Sequence, residues 1–409
     1  MKNLFLFFIF IILFSANPIY SQDENETITS MEIIGLGRTK LFIVENALEK
    51  FIGQKRNDFD QNEVFAAIVN MSVLEPILVE LVNTTNGLIL QVTVKEKWSI
   101  FPLPIAFVGS RGFNFGVFFI DTNAFGQRDM AVIGGALGSN GWTAMAMYNH
   151  TANRKGVPGL SCAFMYNRHD YESVDRFETP YRFYSTDRIR LSLGLNYKFF
   201  EILTSSFSVS FANISIVQND NAYNSPEEGV MLLSFRPGLS IGKNSWDGIF
   251  LLQQSISLDY CYYYGILGSS YNQVEYKANY EHSLIPGFRL IAKSAGSWKS
   301  AKDPLFEDGP QKAQVNILPS NYSSMNYAGL SLGLEKYLFK NNWGILSVHA
   351  SWQCVFSYIK ISDLEFDHGP SAGILFYLSQ IALPAIGVDI AYNVVSELFQ
   401  FSFSLGMSF

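Results

Sequence analysis

Every second residue from Phe399 to Phe409 is large and apolar. In "LFQFSFSLGMSF" the side chains of Phe399, Phe401, Phe403, Leu405, Met407 and Phe409 fall in one register, and Gln400, Ser402, Ser404, Gly406 and Ser408 fall in the other. Successive side chains of a strand point to opposite faces, so a period of two specifies a strand with one oily face and one small polar face. Two environments satisfy that pattern: a soluble sandwich, or a membrane strand with lipid outside and an aqueous lumen inside. The device recurs along the chain. "IRLSLGLNY" sets Ile189, Leu191, Leu193, Leu195 and Tyr197 against Arg190, Ser192, Gly194 and Asn196, and "PAIGVDIAYN" sets Ile386, Val388, Ile390 and Tyr392 against Gly387, Asp389, Ala391 and Asn393.

Charged residues keep to the polar register. Arg190, Asp259, Glu275, Lys277, Glu335, His349 and Asp389 all stand opposite the aromatic and branched positions of their stretches, whereas Lys336 breaks the register at a strand end. A cation facing hydrocarbon at mid-depth costs roughly 2–4 kcal/mol, so a membrane strand keeps it inward. A sandwich obeys the same rule by turning its charges to bulk water, and the aromatic content separates the two cases. At 15% of 409 residues, with Tyr197, Tyr280, Tyr337 and Tyr392 near strand ends, it fits the girdles at a membrane surface. Only 16% of residues are charged and the mean hydropathy is +0.12, without the long apolar runs of a helical membrane protein.

One such run stands at the start. Lys2, the apolar stretch Leu4 to Phe14 and the polar "SANPIYSQ" read as a secretory signal peptide over residues 1–21. A membrane anchor needs about 20 apolar residues, more than this run supplies. An exported chain follows, and no cysteine stands near the cut for lipidation. Cys162, Cys261 and Cys354 are odd in number and widely spaced, which suits neither a disulfide framework nor a metal site. A net charge of −7 leaves no basic stripe, which sets nucleic acid aside as a partner.

Residues 28–97 follow a different period. "ITSMEIIG" reads as a strand; "TKLFIVENALEKFIG" carries Ile43, Ala47, Leu48 and Phe51 at helical spacing up to Gly53; "DQNEVFAAIVN" repeats that period behind Asp60, a helix cap. Two strands, Ile77 to Val82 and Leu88 to Val94, flank the hairpin signal Asn86-Gly87. By itself the order strand, helix, helix, strand, strand fits any small α+β domain. With the "GLGRT" turn (Gly35, Arg38, Thr39) and the closing "VTVKEKW", it resembles a polypeptide-transport-associated (POTRA) domain, the periplasmic module of the BamA-type, or bacterial surface antigen, family of outer-membrane proteins.

From Trp98 onward sixteen candidate strands, 98–108 through 398–409, share 312 residues, or 19.5 for each strand with its connection. About 9–11 residues cross a membrane as a tilted strand, so the length suffices; twelve or fourteen strands are the alternatives. "FNFGVFFIDTNAFGQRD" and the final "GMSF" also resemble the BamA-type family. The fold expected is therefore mainly β, a sixteen-stranded antiparallel transmembrane barrel over 98–409 behind one POTRA domain. The resemblance implies assembly or insertion of other outer-membrane proteins. Its partners would be the outer-membrane lipid bilayer, unfolded outer-membrane substrates and accessory lipoproteins, with the POTRA edge receiving strands, the barrel seam templating them, and Phe409 read by the assembly machinery.

Two stretches depart from simple expectation. Family members that insert polypeptides carry an Arg-Gly-Phe or Arg-Gly-Tyr tip on the loop before the twelfth strand, where its arginine meets acidic wall residues; here "SAKDPLFEDGPQKAQVNILPSNYSSMN" has no arginine, leaving Lys302 or Lys312 as substitutes. A passive channel or structural barrel is thus the alternative function. The first barrel strand holds Pro102 and Pro104, which lack the N–H a ladder needs. Either the barrel starts after Pro104, or the seam of these prolines with Phe401, Phe403 and Phe409 is weak enough to open sideways. "GLSIG" and "GLSLG" match a hydrolase elbow, but Ser240 and Ser331 fall inside alternating strands, not at the strand-to-helix turn that chemistry requires. No enzyme and no cofactor is expected.

Overall fold

The computed structural model describes residues 26–84, 87–109, 112–150, 157–200, 202–247, 250–341, 344–378 and 386–405. Phe409 and the segment 1–21 lie outside them. The chain divides into two compact units between Lys97 and Trp98.

In the first unit β1 (Ile28–Ile34), α1 (Leu41–Leu48), α2 (Gln61–Val69), β2 (Leu74–Thr84) and β3 (Gly87–Glu96) follow one another. The sheet order is β1-β3-β2, with β1 parallel and β2 antiparallel to β3. β3 alternates cleanly: Leu88, Leu90, Val92 and Val94 are buried against Ile43, Val44 and Leu48 of α1 and Val64 and Ile68 of α2. The cap expected at Asp60 is present, its carboxylate accepting the Asn62 N–H at 2.8 Å. β2 is longer than its sequence signal because a register shift at Pro76 lets the strand start at Leu74 despite a residue without an N–H. As outer strands, β1 and β2 each leave an edge.

The second unit is a barrel of sixteen antiparallel strands: β4 (Ile100–Gly109), β5 (Gly112–Ala124), β6 (Asp129–Gly138), β7 (Gly141–His150), β8 (Gly159–Val174), β9 (Pro180–Lys198), β10 (Leu203–Val217), β11 (Val230–Asp247), β12 (Phe250–Leu267), β13 (Tyr271–Ile285), β14 (Phe288–Lys299), β15 (Asn326–Lys340), β16 (Gly344–Tyr358), β17 (Glu365–Leu378), β18 (Ile386–Asn393) and β19 (Leu398–Leu405). Each pairs with its sequence neighbours, and β19 returns to β4. Tight turns at 125–128 and 286–287 mark one end; the long connections 218–229 and 300–325 mark the other. In outer-membrane barrels the short turns face the periplasm.

Alternation sorts the two faces. Leu191, Leu193, Leu195, Ile256 and Leu258 are exposed outward, Leu193 at 67%, while Arg190, Ser192 and Gly194 face the lumen. The inward set is not uniform around the ring. On β4 to β8 the inner register carries Phe101, Leu103, Phe118, Met145 and Met165, so the inner face there is apolar at mid-strand.

Candidate functional site

Three parts of the structure bear on function: the lumen loop, the β4–β19 seam, and a turn in the first unit. The loop between β14 and β15 folds back into the barrel. Asp303 and Pro304 start a helical turn in which Asp303 accepts the Leu305 N–H at 2.9 Å. Leu305 and Phe306 then bury against Tyr184, Val230, Leu232 and Tyr271, and Ala313, Val315 and Ile317 pack on Tyr327, Val355 and Ala391 of the inner wall. Hydrogen bonds fix the remainder. The Asn316 N–H donates to Gln353 at 2.8 Å, and the Tyr322 hydroxyl lies 2.7 Å from both Ser357 and Glu365.

Charge locks this loop with the opposite polarity to the expected one. Glu307 of the loop, its side chain 4% exposed, meets Arg182 of β9 at 2.6 Å. Asp308 pairs with Lys299 at the end of β14, whose ammonium also donates to the Phe306 carbonyl at 2.6 Å. Acids on the loop therefore face cations on the wall. Lys312 does not key the loop to the wall, since it bonds Asp308 within its own segment at 2.7 Å, and Lys302 is exposed. Burial pushes the Glu307 carboxyl above its ordinary range, with Arg182 and Tyr181 opposing. Burial also works against Asp308, but Lys312 and Lys299 outweigh it and hold that carboxyl far below the usual range.

At the short-turn end a second lumen cluster joins strands. Arg289 donates to Glu281 at 2.8 Å and to Glu335 at 2.7 Å, and Glu335 also accepts from Ser347 at 2.6 Å and Tyr377 at 2.8 Å. Ser240 and Ser331 stand mid-strand on the inner face.

The seam is short. Among the described residues β19 and β4 share four pairs, Ser402 with Gly109 through Leu405 with Ala106, whereas every other neighbouring pair of strands shares six or more. Phe403 stands opposite Val108; Phe401 points outward at 49% exposure and has no described β4 partner. Pro102 and Pro104 pair with Phe119 and Val117 of β5 and lie beyond the described part of the seam. Both missing donors belong to one edge of the strand, because N–H groups of residues two apart point the same way.

A turn that the sequence did not flag braces this seam from across the barrel mouth. Asp175 accepts the N–H groups of Phe177 and Thr179, both at 2.9 Å, and holds Glu178 at a φ of 63°. Glu178 then accepts from the Gln400 amide of β19 at 3.0 Å, and Arg176 reaches Glu365 of β17 at 3.0 Å. No local signal announces a contact spanning 222 positions.

In the first unit Gly35 adopts a φ of 94°, and a Cβ there would lie 2.1 Å from the Val94 carbonyl oxygen. Arg38 and Thr39 donate their backbone N–H groups to the Glu96 carboxylate at 2.8 and 2.6 Å. The turn residues Gly35, Arg38 and Thr39 are thus gathered on the end of β3, and Glu96 is the partner that sequence reading missed.

No family model and no curated protein matches the chain. Solved structures do. BamA from Haemophilus ducreyi lacking POTRA domains 1–3 superposes with a TM-score of 0.64 at 12% identity, over 94% of this chain and 85% of that one. CdiB from Acinetobacter baumannii gives 0.65 at 10% identity, over 94% and 74%, and CdiB from Escherichia coli gives 0.60 at 10%, over 96% and 92%. The fold is that of the BamA and CdiB outer-membrane barrels.

Proposed function

We propose that this chain is an outer-membrane factor that assembles or inserts other outer-membrane proteins, its first unit acting as a POTRA domain and its seam as the template. The joint between β4 and β19 carries this reading, because it is the one joint of the ring whose two strands are not joined by a turn. A joint without a connecting hairpin can part without unthreading the chain, and an opened joint offers two strand edges that an incoming strand can extend. The edges of β1 and β2 give the first unit the same mode of capture. A passive channel is the less supported reading, because loop 300–325 occupies the lumen and is tied to the wall by buried ion pairs.

The test locks the seam. Ala106→Cys and Leu405→Cys in a background lacking the native cysteines are joined by a short bismaleimide, and the purified protein is placed in liposomes with a second, unfolded barrel. Uncrosslinked protein should speed folding of that barrel and crosslinked protein should not. Equal acceleration by both forms refutes templating at the seam; steady ion conductance without acceleration by either form favours the channel.

A further inference from the structure

The inner wall of β4 to β8 carries two apolar rows, the first with a gap at Gly134 and the second with Ile120 and Val132 buried. In register across the five strands stand Leu103, Phe118, Gly134, Met145 and Met165; the row beside it begins at Phe101 and Ile120 and continues through Val132, Met147 and Ala163. Their outward neighbours Phe113, Phe115, Phe119 and Ile133 are the lipid-facing ones, so these strands are oily on both faces. Five strands at about 4.8 Å spacing make the rows about 19 Å long. The buried core clusters of the barrel, which seat the loop, include none of the row residues. Both rows start at β4, whose far edge is the seam, so parting of β4 from β19 would bring them to the lipid-facing surface.

Where the rows end, charge begins. Met165 pairs with Arg190 of β9, and Asn167 pairs with Arg188. Both arginines face the lumen, opposite the exposed Ile189 and Leu191. Among the described residues neither has a carboxylate partner, and the Arg188 Nε is buried without an acceptor. Arg182 and Arg289, by contrast, are each matched by glutamates.

We infer that this sector of the lumen wall is a binding site for an anionic membrane lipid, entering at the seam, with its acyl chain on the row from Leu103 to Met165 and its headgroup at Arg188 and Arg190. Apolar length followed by two uncompensated cations complements a hydrocarbon tail ending in a phosphate. The site requires a barrel embedded in a bilayer but no insertase activity, so it can fail or stand independently of the proposed function.

The test places p-benzoylphenylalanine at Met145 or, in a second variant, at Met165. The full chain is reconstituted in vesicles of phosphatidylcholine with phosphatidylglycerol, irradiated, and read by mass spectrometry. Adducts with phosphatidylglycerol should form at both positions, in excess over its share of the bilayer, and should be absent at Ser208 on the polar inner wall. The pair Arg188→Ala and Arg190→Ala should lower the yield roughly tenfold, as loss of a charge-assisted contact predicts. A polypeptide adduct, from this chain's own residues 1–25 or any other protein, overturns the inference, as does equal capture of the two lipids or equal capture at Ser208.

Discussion

Replacing Arg182 by alanine is expected to release the lumen loop in a pH-dependent way. The guanidinium stands 2.6 Å from Glu307, and their side chains are 12% and 4% exposed. Removing one member of a buried pair strands the other charge, at a cost of about 3–5 kcal/mol, or a shift on the order of 10² to 10⁴ in the seated-to-released ratio. Glu307→Gln keeps an acceptor for Arg182 and removes the buried carboxylate, so its cost is about 1–2 kcal/mol. Single-barrel conductance in planar bilayers reads the result: Arg182→Ala should conduct most, Glu307→Gln little, and wild type least. The pH profile separates electrostatics from packing. Burial already holds the Glu307 carboxyl above its ordinary range, with Arg182 opposing. Without Arg182 it titrates higher still, so the defect is full above that shifted value and fades as falling pH neutralises the buried charge. Asp308 titrates far below this range, so its pairs with Lys299 and Lys312 persist throughout. Conductance of Arg182→Ala that is wild-type at neutral pH, or that does not decline as pH is lowered, refutes the reasoning.

Three further substitutions test the faces and the first unit. Leu193→Lys puts a cation on a side chain 67% exposed to lipid and should destabilise folding by about 2–4 kcal/mol in urea-dependent refolding into vesicles, while Ser192→Lys, one step inward, should change it by less than about 1 kcal/mol; equal effects contradict the assignment of faces. Glu96→Ala removes the acceptor shared by the Arg38 and Thr39 N–H groups, and their hydrogen exchange in the full chain should accelerate by roughly tenfold, about 1.4 kcal/mol, with Leu90 unaffected. Burial raises the Glu96 carboxyl, but those donors bring it below its ordinary value; in wild type their protection is therefore present above the unfolded value and lost as pH falls through the lowered one. Protection that persists in acid would place the anchor of this turn elsewhere.

What was legible in the sequence follows from which interactions are local. Period two identified the strands because the contrast between lipid and lumen acts on every residue, and the Asp60 cap was readable because donor and acceptor are two positions apart. The inner face was read correctly where it carries charge, as at Arg190, Glu335 and Asp389. It was not read on β4 and β5, where "FNFGVFFID" places Phe118 and Ile120 in the register that elsewhere is polar. The loop was located but its lock was not. Searching for a cation in it overlooked the reverse solution, acids inside and Arg182 and Lys299 on the wall, which forms the same ion pairs. Contacts such as Glu178 with Gln400 depend on closure of the ring and have no local trace.

Closure also decides where the ring yields. Every neighbouring pair of strands in the ring is joined by a turn or loop except β4 and β19, so that joint alone lacks a covalent link between its two strands. The seam nevertheless has a second restraint, because Gln400 ties β19 to Glu178 while Arg176 of the same turn holds β17. The β8–β9 turn thus contacts both β17 and β19, and movement of β19 away from β4 would have to break the Glu178–Gln400 hydrogen bond. The same turn is joined to the lumen loop, since Asn321 donates to Glu172 at 3.1 Å and Ser323 to Ser173 at 3.1 Å just before it. The lumen loop and β19 therefore contact the same turn, and Arg182→Ala is expected to loosen the Glu178–Gln400 contact along with the loop.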